Sequence, residues 1–181
     1  MNIQKTKIYG SYLIKPEKHS DKRGFFIETW NMRTLSQKVK IDPIFLQDNF
    51  SRSKKNVLRG LHYQIKKAQG KLVRVAYGSI FDVVVDLRLS SPSFQNWYGV
   101  KLCAKENQVL WIPPGCAHGF YVLTKYADVL YKTTEYRYPE HERCIIWNDK
   151  SIGVDWHLSS NPIISEKDQI GQKLQEAELF K

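Results

Sequence analysis

The sequence predicts an all-β fold, a barrel or sandwich of short strands such as a jelly roll, with short flanking helices. Three observations carry that prediction. Residues Lys71–Tyr77 alternate apolar and polar side chains, the period of a half-buried strand. Residues Ile80–Leu87 form a run rich in Val, broken only by Asp82 and Asp86, and β-branched runs favour strand. Turn signals then punctuate the chain at roughly 8–12-residue spacing: Tyr77-Gly78-Ser79, Ser90-Ser91-Pro92 and Pro113-Pro114-Gly115.

Taken in order, residues Arg33 to Val39 predict a short helix. Leu58–Gln64 reads as a strand. If no bulge intervenes, alternation puts Gly60, His62 and Gln64 on one face and Arg59, Leu61 and Tyr63 on the other. Further strands follow at Tyr98–Leu102, Val109–Ile112, Gly119–Leu123 and Val129–Thr133. The stretch from Ser165 to Leu179 predicts a second helix, with Ser165 as N-cap and Asp168 at the third helical position. The sequence shows no internal repeat, low-complexity tract or linker. Its 181 residues suit one domain, 1–181, with a sizeable core.

Composition narrows the function classes. No apolar run of about eighteen residues is present, so no membrane span is expected. The start, Met-Asn-Ile-Gln-Lys-Thr-Lys, lacks the apolar core of a signal peptide. The three cysteines, Cys103, Cys116 and Cys144, have no CxxC spacing, and free thiols fit a reducing cytoplasm. The formal net charge of +10 favours anionic partners. The basic residues are scattered, and the densest cluster is only Arg52-Ser53-Lys54-Lys55. A nucleic-acid module concentrates its charge in a helix or stripe, so no nucleic acid is expected. A phosphorylated small molecule suits the charge better.

The chemistry concentrates in two motifs. The first is Leu58-Arg59-Gly60-Leu61-His62-Tyr63-Gln64; the second is Ile112-Pro113-Pro114-Gly115-Cys116-Ala117-His118-Gly119-Phe120. The second resembles the P-x-G-x-x-H motif of the cupin superfamily, which implies a cupin-type jelly-roll barrel. Metal-binding cupins carry H-x-H in their first motif. Here it reads His62-Tyr63-Gln64, and glutamine is a poor transition-metal ligand. Two histidines fall short of the three or four ligands of a tight site, so no metal is expected. A histidine base without a metal points to proton transfer beside a carbonyl. That chemistry needs a base, for which His62 is the candidate. It needs a carboxylate to hold the imidazole, and a donor for the enolate oxygen. Lys71, at the start of the next strand, is placed for the last role. Epimerisation adds an acid on the opposite face, and spacing alone does not choose it from ten tyrosines.

The motifs together resemble the dTDP-4-dehydrorhamnose 3,5-epimerase family. The matching segments run in order. They are Asp21–Glu28, Gln47-Asp48-Asn49, Val57–Gln64, Gln69–Arg74, Phe81-Asp82-Val83, Trp111-Ile112-Pro113, Ala117–Phe120, Tyr131–Thr134, Trp147-Asn148-Asp149 and Ser165–Asp168. The resemblance implies His62 as general base paired with Asp168, Tyr131 as the opposing acid, and Lys71 with His118 at the enolate. It implies Arg23 and Arg59 at the diphosphate, Glu28, Gln47 and Asn49 at nucleotide or sugar, and Glu142, Lys167 and Tyr138 as further binding positions. The implied substrate is a dTDP-linked 4-keto-6-deoxy sugar inverted at C3 and C5. Its own ketone serves as electron sink, so no cofactor is implied. The implied assembly is a homodimer in which the N-terminal segment, with Arg23 and Glu28, serves the neighbouring site. In the family two adjacent tyrosines usually follow Tyr131, and the second stacks on the base. Here Tyr136-Arg137-Tyr138 puts Arg137 at that position, which leaves base selectivity open. The rival readings are a single-site C3 or C5 epimerase, a sugar-nucleotide ketoisomerase, a metal-dependent oxygenase and a catalytically dead sugar-nucleotide binding module.

Overall fold

A computed structural model describes residues 1–181. Its elements are β1 (Asn2–Lys5), β2 (Tyr12–Lys15), β3 (Lys18–Asp21), β4 (Gly24–Ile27), α1 (Met32–Val39), β5 (Gln47–Lys54), β6 (Leu58–Gln64) and β7 (Lys71–Tyr77). There follow β8 (Ser79–Asp86), β9 (Trp97–Cys103), β10 (Val109–Ile112), β11 (Cys116–Val122), β12 (Tyr126–Thr133), β13 (Glu142–Cys144) and α2 (Glu166–Gln169). Two antiparallel sheets result. One has strand order β1-β2-β10-β7-β12-β5 and the other β13-β6-β11-β8-β9, while β3 and β4 pair only with each other. This is the predicted all-β, jelly-roll-like arrangement.

The two sheets face each other across an aliphatic layer. Val73, Val75, Leu110, Ile112 and Val129 from one meet Ile80, Val84, Leu102, Phe120 and Val122 from the other. The outer face of the five-stranded sheet is covered as well. Leu58, Leu61, Val83, Val85 and Tyr121 pack there against Ile152, Trp156 and Leu174 from the C-terminal segment. Strand β8 is therefore buried on both faces along its whole length, which is why apolar residues fall on both of its faces, Asp82 and Asp86 apart, rather than alternating. On the outer face of the other sheet Leu35 of α1 packs with Leu72, Val109 and Trp111. Helix α1 starts where the Asn31 side chain accepts a bond from the Thr34 amide and ends at Lys40 in the left-handed conformation.

Two expectations need correction. The stretch from Ser165 to Leu179 is not one helix. Ser165 caps the amide of Asp168 as predicted, but helix α2 stops at Gln169. The chain then runs extended alongside Ile145, exchanging backbone bonds with Cys144 and Ile146 through Gln172. Gly171 lies so close to that backbone that a Cβ would sit 2.7 Å from the Ile146 nitrogen. Tertiary pairing wins over helix propensity here. Simple alternation in β6 also fails. His62 pairs with His118, yet Arg59 pairs with Phe120, so β6 spends one more residue than β11 between those two pairs. This bulge brings Arg59 round to the face of His62 and leaves Leu58 and Leu61 together on the other.

Strand β5 carries no aliphatic alternation, and the sequence reading did not mark it. It is an edge strand whose half-buried face is polar: Gln47, Asn49 and Ser51. The polarity follows from what that face lines.

Candidate active site

The space between the sheets changes character along the strands. On β7 the inward residues run from Val75 through Val73 to Lys71, and on β12 from Val129 to Tyr131. At this polar end lies a cavity of about 370 Å³. Its walls are β5, β7 and β12 of one sheet and β6, β11 and β13 of the other. Arg137 and helix α2 close its edge.

Two histidine–carboxylate pairs stand in it. His62 Nε2 donates to Asp168 Oδ1 at 2.6 Å. The Asp168 side chain is 4% exposed, while that of His62 is 41% exposed toward the cavity. Asp168 Oδ2 also accepts from the Gly60 amide at 3.2 Å. Burial alone would raise the Asp168 carboxyl, but His62, the Gly60 amide and Ser165 bring it below its ordinary value. The carboxylate is thus ionised and accepts, so the proton between them belongs to His62 Nε2, and in the neutral form of the ring Nδ1 holds the lone pair. On the neighbouring strand β11, His118 Nε2 lies within hydrogen-bonding distance of both oxygens of Asp82, at 3.0 and 2.9 Å. Asp82 is fully buried.

Lys71 is the third feature. It is buried, and its Nζ donates to the His62 carbonyl at 3.4 Å. Burial lowers the amine to about 8, against the opposing pull of Asp82 and Glu142. Tyr131 projects from β12, half-buried, and burial raises its phenol while Arg59 and Arg137 oppose the shift.

The rim is cationic. Arg59, Lys71, Arg137, Arg143 and Lys167 line the cavity against Glu142 and Asp168. Arg59 bonds only Ser53, through Nε at 3.0 Å, and its charge meets no carboxylate. Glu142 accepts from Arg137 at 2.7 Å and from Lys167 at 2.7 Å. The Arg137 bond, stronger than the cost of burial and joined by Lys167, takes this carboxyl down to about 2. Gln47 donates to Asn49 at 2.7 Å and accepts from the Arg137 amide at 3.0 Å.

The structure therefore brings together His62, Lys71, His118, Tyr131, Asp168, Gln47, Asn49, Arg59, Glu142 and Lys167. It does not bring in three others. Arg23 sits on the β3–β4 hairpin, bonded to Asp21 and exposed. Glu28 follows the same hairpin, also exposed. Tyr138 lies outside the cavity lining, its amide donating to Gln64, and Arg137 faces the cavity instead. Sequence reasoning missed Ser51 and Arg143 of the cavity lining. Ser51 continues the every-second-residue series of Gln47 and Asn49, a signal that was present. Its hydroxyl is buried and has no protein partner. Cys144 has no local signal: it lies beside His62 only because β13 pairs with β6.

The family model for dTDP-4-dehydrorhamnose 3,5-epimerase matches residues 5–176. The chain belongs to that family. It is 51% identical over 168 residues to the dTDP-4-dehydrorhamnose 3,5-epimerase of Pseudomonas aeruginosa PAO1, covering 93% of each chain. Against the Salmonella typhimurium LT2 epimerase it is 48% identical over 178 residues, covering 98% of this chain and 97% of the relative. The crystal structure of the Legionella pneumophila Philadelphia 1 epimerase in complex with dTDP-4-keto-L-rhamnose superposes with a TM-score of 0.96 at 44% identity, covering 99% and 97% of the two chains. Members of this epimerase family are isomerases, and this chain is one of them. The expected cupin-type barrel is the fold they share.

Proposed function

We propose that the enzyme inverts C3 and C5 of a dTDP-linked 4-keto-6-deoxy sugar, in the formation of dTDP-4-keto-rhamnose, with His62 as base and Tyr131 as acid. The observation that carries the reading is the short His62–Asp168 bond at the wall of a cationic cavity. Asp168 holds the imidazole and offsets the positive charge it gains on taking a proton. The 4-keto group acidifies the protons on C3 and C5. His62 Nδ1 takes one, and the electron pair moves onto the ketone oxygen as an enolate. Lys71 donates to that oxygen, with His118 beside it. Tyr131 then gives its phenolic proton to the carbon from the other face. Exchange with solvent resets His62 and Tyr131 before the second centre reacts.

The diphosphate is assigned to Arg59, whose charge is unpaired, since guanidinium forks suit phosphate oxygens. Gln47, Asn49, Glu142 and Lys167 are assigned to the nucleotide and sugar. Arg137 is assigned to the base, on which its planar guanidinium can stack. Arg23 and Glu28 are assigned to the neighbouring site of a homodimer. Phe25 and Phe26 on their hairpin support that reading, because they stay largely exposed even with the Lys18 ammonium over the Phe25 ring. Residues 1–181 act as one domain, since the C-terminal segment supplies both Asp168 and the outer cover of the β6–β11 sheet. No helix is long and apolar enough to cross a membrane, and the proposed location is the cytoplasm.

Proton NMR of dTDP-4-keto-6-deoxyglucose with the enzyme in D2O tests the reading. Deuterium should enter both C3 and C5, and His62→Ala should abolish the exchange at both. Exchange at one carbon alone would reduce the function to a single-site epimerase. Wild-type exchange in the His62→Ala protein would remove His62 as base.

A further inference from the structure

Cys144 has no part in epimerisation, yet it lies against the base. Strand β13 pairs antiparallel with β6, and Cys144 is the direct cross-strand partner of His62. The flanking residues Leu61 and Ile145 exchange both backbone bonds, so Cys144 and His62 form a non-hydrogen-bonded pair. Side chains of such a pair approach most closely. Asp168 reaches the same point from α2. The result is a nitrogen, a sulfur and a carboxylate oxygen that all lie within 4.8 Å of one another.

We propose that His62, Cys144 and Asp168 form a binding site for a thiophilic divalent cation of the Zn2+ or Cd2+ class, and that its occupation switches the base off. The donor set is one that soft and borderline ions prefer. Donor atoms around tetrahedral zinc are about 3.3–3.6 Å apart, from the usual bond lengths, so the sulfur needs to approach by up to roughly 1 Å, while the His62–Asp168 pair, at 2.6 Å, needs to open by a little less. The buried Asp168 supplies negative charge, and the exposed edge of His62 supplies an entry path from the cavity. Lys167 is the nearest opposing charge on α2, and it is already paired with Glu142 at 2.7 Å. The Cys144 sulfur makes only a weak contact to the Ile145 carbonyl, at 3.5 Å. On binding, the thiol loses its proton to solvent as the sulfur–metal bond forms. The ion replaces the His62–Asp168 hydrogen bond at Nε2, and the proton of the neutral ring then sits on Nδ1, so the nitrogen that takes the substrate proton no longer has a lone pair. The fourth position stays open to the cavity.

The inhibitory half rests on the epimerase reading; the binding half does not. The test uses the chelator-treated full-length protein. Zn2+ alone is measured by equilibrium dialysis, and Co2+ alone by its thiolate charge-transfer absorption. Wild-type protein should bind one ion per chain, show the cobalt–thiolate band, and lose C3 and C5 exchange as Zn2+ is added, with EDTA restoring it. Cys144→Ser should keep basal exchange, lose the band, and bind Zn2+ more weakly by over about 10-fold, the loss that even an outer partner of a metal ligand gives. Equal Zn2+ binding in Cys144→Ser, or no cobalt–thiolate band in the wild type, overturns the site. Binding through Cys144 with exchange unaffected overturns the switch. A chain that shows the band but never exchanges deuterium at any Zn2+ level refutes the epimerase reading and leaves the metal site standing.

Discussion

His62 and His118 are direct cross-strand partners on β6 and β11, and each ring is held through Nε2 by its own buried carboxylate, Asp168 or Asp82. The two pairs differ in access. His62 opens toward the cavity, whereas His118 is buried with 8% of its side chain exposed. That difference separates a ring open to substrate and solvent from one held within the sheet by its carboxylate.

Replacing Asp168 by Asn keeps the shape but removes the charge that stabilises imidazolium. Catalytic turnover should fall by about 10²–10⁴-fold, the usual worth of general acid–base catalysis, with KM little changed. Steady-state kinetics would reveal the split. A kcat near wild type would show that the carboxylate only positions the ring.

Tyr131→Phe removes the proposed acid and leaves the base. Deuterium should still enter the substrate, while inverted product should fall by roughly the same 10²–10⁴-fold. NMR of both exchange and configuration decides it. Normal inversion in this variant would move the acid to another group.

Arg59→Ala removes a charge that no protein carboxylate neutralises. Charge-assisted hydrogen bonds contribute about 1.5–3 kcal/mol, so binding of dTDP should weaken by about 10–100-fold. The salt dependence of binding should also become shallower. Calorimetry at two ionic strengths checks both. Unchanged affinity would place the diphosphate elsewhere.

Gly60→Ala attacks the bulge itself. Gly60 has φ +117°, and a Cβ there would stand 2.5 Å from the Gly119 Cα and 2.7 Å from the His118 carbonyl. Both partners are backbone and cannot turn aside. The variant should lose more than about 2 kcal/mol of stability, read as a Tm drop of at least about 4 °C. A wild-type Tm with full activity would mean that the bulge tolerates a side chain.

Asp86→Asn tests a charge network outside the cavity. Asp86 is fully buried and accepts from Arg88, Ser91 and Ser93. Burial would raise its carboxyl, but these bonds together hold it below its ordinary value. A carboxyl depressed in the folded state adds stability above its unfolded pKa, and that stability disappears as pH falls through the folded value. The variant should be less stable by about 2 kcal/mol near neutral pH. The gap should narrow as pH drops below about 4. Urea unfolding at several pH values would expose a constant gap, which would refute the charge argument.

Much of the fold is readable without coordinates. Strands β7, β8 and β10 announce themselves by composition and turn punctuation, because the side chains of a strand report the two faces on which it packs. Strand β5 escapes this reading. Its inward residues Gln47, Asn49 and Ser51 serve a polar cavity, so the usual apolar alternation is absent where function replaces core. The helix expected from Ser165 to Leu179 fails for a related reason. Local signals show its capped start, but the pairing of Gln172 with Ile145 that ends it comes from residues far away in sequence.

By itself the sequence determined an all-β chain, the strands of its core, two histidine motifs and the kinds of group available for proton transfer, because periodicity and turn chemistry are local properties. Only the tertiary structure decided which groups meet. The one-residue bulge in β6 put Arg59 beside His62, and the antiparallel register of β13 set Cys144 against the base. The path of the C-terminal segment carried Asp168 to within 2.6 Å of a histidine 106 residues earlier. Those meetings depend on strand order and long-range register, which are settled by how two whole sheets bury their faces and not by any single segment.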